Sequence, residues 1–215
     1  MIVMAIAQMV HHERSISDSL EEAKALIREQ GVQAGKDLLP SAPLAKASDH
    51  SQALQKEEGE EEPEGKGNSP HQEEEEKPNI KTEEHPQGEV IGILEIPRLQ
   101  AELPIVEGTS ADQLRKGVGH YATTLLPGEG GQILLSGHRD TVFTRMGELK
   151  EGDQFIVRTR QGSYTYTFTR SKIVAADDTT VIRTSDREEL VLSTCYPFSF
   201  LGNAPDRYVI YAYPM

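Results

Sequence analysis

From Val90 onward the chain breaks into short β-prone runs separated by turn residues, and this rhythm constrains the fold more than any other feature. The runs are VIGILEI, LPIVEG, GQILLSG, DQFIVRTR, YTYTFTRSKIVAA, LVLST and YVIYAY. Seven or eight strands in about 125 residues suit a closed or nearly closed β-barrel. QGS at residues 161–163 joins two alternating strands as a hairpin turn, whereas SADQLRKGVGHY and TRMGELKEG read as short helical connections. No fixed-period repeat interrupts the pattern. The expected class is all-β, with short helices between strands.

The preceding segment obeys different rules. Residues 35–88 lose hydrophobic periodicity and gather Glu, Pro, Gly, Ser and Lys, with EEGEEEPEGKG and QEEEEKP at their centre. Such a stretch cannot bury enough apolar surface to offset a backbone entropy of about 1–2 kcal/mol per residue. It reads as a disordered acidic linker and a solvated, self-repelling spacer. The formal net charge of −13 sits mainly here: residues 50–89 hold thirteen acidic and four basic side chains, while residues 90–215 hold fifteen and thirteen. No basic face of the kind that nucleic-acid binding requires is present in the sequence.

Residues 1–34 form a third region. The apolar stub MIVMAIAQMV ends at His11-His12-Glu13, short of the roughly 18–20 residues a bilayer span needs. It fits either an ordinary helix end or the remnant of an amino-terminal signal anchor. From Ser15 to Gln30, Ser17 as a cap and the stripe Leu20, Ala23, Leu26, Ile27 predict an amphipathic helix closed by Gly31.

The chemistry converges on residues 89–215. Cys195, the single cysteine, stands at the end of the apolar run Leu190-Val191-Leu192, before a turn-rich tail containing Pro197, Gly202, Asn203 and Pro205. Free cysteines are more often buried filler than nucleophiles, so its position at a strand end is what draws notice. Arg207 opens the next strand, and pairing of the two strands would set its guanidinium beside the sulfur. Upstream, Ser136-Gly137 break the run Ile133-Leu134-Leu135 immediately before His138, again at a strand end. His138, Cys195 and Arg207 supply a base, a nucleophile and a cation for a substrate carbonyl, the inventory of thiol acyl transfer. His120, in GVGHY, is a rival to His138, as a substrate-side group or one behind the reacting residues. His11, His12, His50, His71 and His85 lie in polar surroundings and are expected to be solvated. One cysteine excludes an intramolecular disulfide and a multi-cysteine zinc site; no cofactor or metal motif is present.

The segment VLSTC at residues 191–195, followed by an arginine on the next strand and preceded by SGHRD at 136–140, resembles the sortase family of cysteine transpeptidases. Val191 stands where that family's Thr-Leu-x-Thr-Cys pattern has threonine. GVGHY, LPGEGG, HRD and CYPF are most similar to the class D branch. The resemblance covers roughly residues 89–215 and implies an eight-stranded barrel behind a membrane anchor on the extracellular face of a Gram-positive cell. It implies that Cys195 attacks an LPxTG-like or LPxTA-like sorting signal of surface proteins, that His138 is the acid and base, and that Arg207 stabilises the oxyanion. The acylated protein would pass to an amine of a peptidoglycan precursor. Val181 and Ile182, the apolar members of residues 175–189, are expected either to hold the Leu-Pro part of the signal or to plug their loop onto the barrel. Thr194 is expected to pack or hydrogen-bond beneath the sulfur, with a possible substrate contact. The competing readings are a sorting-signal hydrolase, a cysteine L,D-transpeptidase, whose Ser-x-Gly-Cys context STC does not match, and a non-enzymatic wall-surface binding module with an unreactive thiol.

Overall fold

The computed structural model describes residues 2–34, 85–199, 202 and 204–215. The segment expected to be a disordered linker lies, for residues 35–84, outside the described residues, as do His50 and His71.

Eight strands close into one barrel: β1 (Val90–Ile96), β2 (Ala101–Glu107), β3 (Val118–His120), β4 (Gln132–Ser136), β5 (Gln154–Thr159), β6 (Ser163–Ala175), β7 (Glu189–Tyr196) and β8 (Asp206–Pro214). Their order around the barrel is β1-β2-β3-β4-β7-β8-β6-β5. Pairing of Gly92 to Glu95 with Ile156 to Thr159 joins β1 to β5 and removes the last free edge. The QGS turn closes the β5–β6 hairpin as expected, with Thr159 N–H donating to the Gly162 carbonyl at 2.9 Å.

Two of the pairings are parallel, β2 with β3 and β4 with β7. Parallel strands are covered on both faces and therefore carry continuous apolar runs. Ile133, Leu135, Leu190 and Leu192 fill the barrel interior with Phe143, Phe155, Tyr166 and Ile210. The alternate residues Leu134 and Val191 face outward and join Val209 and Tyr211 beneath Val181 and Ile182. Each fully buried Leu, Ile or Phe contributes about 1.5–3 kcal/mol of transfer free energy, and the β4–β7 seam gains this on both of its faces.

The amino-terminal region departs from the sequence reading. One helix, α1 (Ile2–Ala34), takes in both the apolar stub and the amphipathic segment; Ser17 and Gly31 lie inside it rather than at its ends. The helix docks on β1 and β2, where Ala23 is fully buried with Val90, Ile93 and Val106 against Leu20, Leu26 and Ile27. Lys24 Nζ meets Glu102 Oε2 at 3.1 Å on the rim. No helix among the described residues is long and apolar enough to cross a membrane.

The two connections predicted to be helical are shorter than expected. In the first, helix α2 (Ala111–Leu114) is a single turn with a Ser110–Gln113 capping box, and GVGHY supplies β3 instead. The second holds one 3₁₀ turn at Met146–Glu148. Three residues are too few to show a period of two, which is why β3 was not legible as a strand.

Candidate active site

The β4–β7 pairing sets the geometry of the site. Ser136 and Ser193 are register partners, so His138 and Cys195 each stand two residues beyond the same level of adjacent parallel strands. Two bonds hold these strand ends together: Gly137 N–H donates to the Ser193 carbonyl at 3.1 Å, and Thr194 Oγ1 donates to the Gly137 carbonyl at 2.8 Å. Gly137 has no room for a side chain, since a Cβ there would lie 2.5 Å from the Phe143 ring. The Ser-Gly-His order thus brings the backbone tightly onto the barrel just before the imidazole leaves it.

Arg207 enters from the other side of β7. It is the antiparallel register partner of Cys195, and such partners share a face with Cβ atoms about 4.5–5.5 Å apart. An arginine near the surface of a strand commonly pairs with a nearby carboxylate, and Asp206 adjoins Arg207. Its Nη1 instead donates to the main-chain carbonyl of Asp206 at 3.0 Å and, at a longer 3.4 Å, to that of Ala204. These bonds orient the guanidinium without neutralising its charge.

His138, Cys195 and Arg207 line two cavities together. One, of about 400 Å³, runs from Cys195 past Val181 and Ile182. The other, of about 280 Å³, adds Arg139, Asp140, Gly202 and Ala204. All three principal residues are partly exposed. Arg139 fastens the loop after Cys195 by donating to the carbonyls of Pro197 at 3.1 Å and Gly202 at 2.9 Å. Within CYPF, Phe198 packs edge-on against Tyr196 and Tyr208, with ring centroids 5.4 and 5.2 Å away. Among the described residues, no group of three or more His, Cys, Asp or Glu side chains converges as a metal shell would require.

Val181 and Ile182 both pack on the outer face of the seam and line the longer cavity. Their loop is fixed by Glu189, a fully buried carboxylate. Glu189 accepts from Gln132 Nε2 at 2.9 Å, Arg183 Nη2 at 2.6 Å and the Tyr213 hydroxyl at 3.2 Å. Gln132 Nε2 also donates to the Val181 carbonyl at 3.0 Å. The Glu189 hydrogen bond raises the Arg183 guanidinium above its ordinary value.

His120 is enclosed within the barrel wall on β3. It is 3% exposed. Its Nδ1 lies 2.7 Å from Glu107 Oε2, and its Nε2 lies 3.1 Å from the Leu125 carbonyl and 3.2 Å from Thr124 Oγ1. Both ring nitrogens are used inside the fold, and His120 lines neither cavity beside Cys195. Thr194, 2% exposed, has its hydroxyl committed to Gly137. It also counts among the residues that line the longer cavity.

Two histidines expected to be solvated are not. His85 Nδ1 lies 3.2 Å from Glu89 Oε2. His12 lies with its ring centroid 6.4 Å from that of His138. Burial chiefly, with repulsion from His138 second, holds the His12 imidazole below its ordinary pKa. A sequence signal for this placement did exist: the stripe through Leu20, Ala23 and Ile27 extends back in steps of four to Ile16 and His12.

A sequence model of the sortase domain matches residues 94–215. The chain belongs to the sortase family. Its sortase domain is 59% identical over 125 residues to Sortase D of Bacillus subtilis, an alignment spanning 58% of this chain and 63% of that relative. The chain therefore spans less than two thirds of that relative's length. Among solved structures, the Sortase D5 transpeptidase of Clostridium perfringens superposes with a TM-score of 0.56 at 26% identity, over 60% of this chain and 81% of that one. Sortase C of Clostridium perfringens, solved with the C-terminal cell wall sorting motif, superposes with a TM-score of 0.55 at 33% identity, over 60% and 72%. Both the sortase family and the eight-stranded barrel expected from the sequence are thus established.

Proposed function

We propose that this chain is a class D-like cysteine transpeptidase that cleaves an LPxTG-like or LPxTA-like sorting signal of surface proteins and transfers the product to an amine of a peptidoglycan precursor. The observation that carries this reading is the convergence of His138, Cys195 and Arg207 on shared cavities from three neighbouring strands.

The Cys195 thiolate attacks the carbonyl of the scissile bond. Arg207, always protonated and presenting a rigid donor fork, receives the developing oxyanion. His138 as the imidazolium gives its proton to the leaving amine, and the acyl group stays on sulfur as a thioester. An incoming amine then attacks, His138 takes the proton it loses, and the thiolate is released. Val181 and Ile182 offer apolar surface for the Leu-Pro part of the signal along the longer cavity. The extracellular face of a Gram-positive membrane is the location this chemistry needs, because substrate and acceptor meet there.

The test is cleavage of fluorogenic LPxTG and LPxTA peptides by the full chain, with and without added amine, alongside Cys195→Ala, His138→Ala, Arg207→Ala and His120→Ala. Loss in the first three variants with an amine-linked product supports the proposal. Cleavage that never yields the adduct points to a sorting-signal hydrolase. No turnover by the wild-type chain, with a thiol that resists alkylation, points to a binding module.

A further inference from the structure

The last two residues of GVGHY take no part in the bond changes, and their side chains point opposite ways. Gly119 and His120 pair with Ser136 and Leu135 in antiparallel register, and the Tyr121 N–H continues the ladder by donating to the Leu134 carbonyl at 2.9 Å. Successive residues of a strand face opposite sides of the sheet. His120 therefore turns into the wall with Leu135. The Tyr121 ring lies outside with Leu134 and packs on the apolar cluster that includes Val181, Val191, Val209 and Tyr211. Together with Val181 and Ile182 it lines the cavity of about 400 Å³ that runs from Cys195.

The turn that carries Tyr121 is held from inside the fold. His120 is wedged between Glu107, itself 5% exposed, on one edge of its ring and Leu125 and Thr124 on the other. Thr124 Oγ1 donates to the Tyr121 carbonyl at 2.8 Å and accepts from the Leu134 N–H at 3.1 Å. The buried His120–Glu107 pair thus ties residues 121–125 to the barrel, although neither member lines the cavity. Distance along the sheet identifies what the Tyr121 ring meets. Leu134 pairs with Val191, four residues before Cys195 on β7, a separation of about 13 Å at roughly 3.3 Å per residue. In an extended signal whose threonine carbonyl sits at the sulfur, the proline and leucine trail by about 7 and 10 Å. A tyrosine side chain spans the difference, and aromatic surfaces are what extended, proline-containing segments dock against.

We infer that Tyr121 is a specificity-determining residue, whose ring holds the proline of the sorting signal, and that His120 and Glu107 are positioning residues that set this ring in the cavity wall. This deepens the transpeptidase reading and rests on it. The ring acts on binding of the peptide, and the buried pair acts only through the ring.

The test is the ratio of kcat/KM for a fluorogenic LPxTG or LPxTA peptide to that for its counterpart with alanine in place of proline, measured on the full chain. A loss of folded protein lowers both values alike and leaves the ratio unchanged. Wild type is expected to prefer the proline peptide. Tyr121→Ala is expected to lower that preference about ten-fold, through KM rather than kcat, whereas Tyr121→Phe keeps the ring and the preference. His120→Gln is expected to lower it about three-fold, and the double variant to be no worse than Tyr121→Ala alone. An unchanged ratio in Tyr121→Ala, or no preference for proline in wild type, overturns the specificity role while leaving transpeptidation standing. Losses that multiply in the double variant overturn the positioning role. Absence of cleavage of every proline peptide by wild type overturns both this inference and the transpeptidase reading.

Discussion

Cys195 on β7 and Arg207 on β8 are direct partners in the antiparallel register of the barrel. The sheet itself, rather than a mobile loop, therefore fixes the spacing between sulfur and guanidinium. Cationic stabilisation built into a strand pair needs no reorganisation during reaction. Arg207→Ala is expected to lower kcat by about 10²–10³-fold. Arg207→Lys should recover only part of that loss, because an ammonium lacks the planar fork. Steady-state kinetics on a fluorogenic sorting peptide check both.

The loop carrying Val181 and Ile182 depends on the fully buried Glu189. Glu189→Ala leaves Gln132 and Arg183 without their shared acceptor and is expected to destabilise the domain by about 2–4 kcal/mol. Arg183→Ala leaves the fully buried Glu189 carboxylate without its countercharge, so it should destabilise at least as much and also raise peptide KM a few-fold as the loop loosens. Thermal unfolding and KM measurements separate the two effects.

Thr194 joins β7 to Gly137 through a buried hydrogen bond of 2.8 Å. Thr194→Val keeps the shape and removes the donor, leaving the Gly137 carbonyl unsatisfied, so a loss of about 1–3 kcal/mol is expected. A fall in kcat with little change in peptide KM would follow from displacement of His138 relative to Cys195. Denaturant titration and kinetics on the same variant check this.

Much of this was legible in the sequence, for definite physical reasons. The runs around Leu134 and Val191 declared buried strands because both faces of a parallel pair are apolar. Cys195, His138 and Arg207 were marked by their strand-end positions. His12 escaped notice because its neighbours are polar and its companion, His138, is distant in the chain; only the long stripe on α1 connects them. His120 looked like a site residue because a lone histidine beside glycines carries no sequence sign of the buried Glu107 that receives it.

His12 also sets a pH dependence. Its folded pKa lies below the ordinary value, near about 6.5 in the unfolded chain. Burial and His138 are the main causes, Arg115 and His11 lower it further, and Asp140 opposes them. Between the two values the unfolded chain binds more protons, so the contribution from seating His12 is full above about pH 6.5. It is lost as pH falls through the folded value. Protection of the α1 amides, referred to the slower intrinsic exchange at low pH, should fall on acidification, and His12→Gln should flatten that fall. An unchanged profile would argue against His12 as its source.

The most direct measurement is the intact mass of the full chain quenched in acid during turnover of a sorting-signal peptide, followed by mapping of the modified fragment. A covalent thioester on Cys195 predicts a mass gain equal to the amino-terminal part of the peptide. That gain should be confined to the fragment containing Cys195 and disappear when amine is added. Turnover with no adduct on Cys195 under quench, or with cleavage undiminished in Cys195→Ala, would contradict the account.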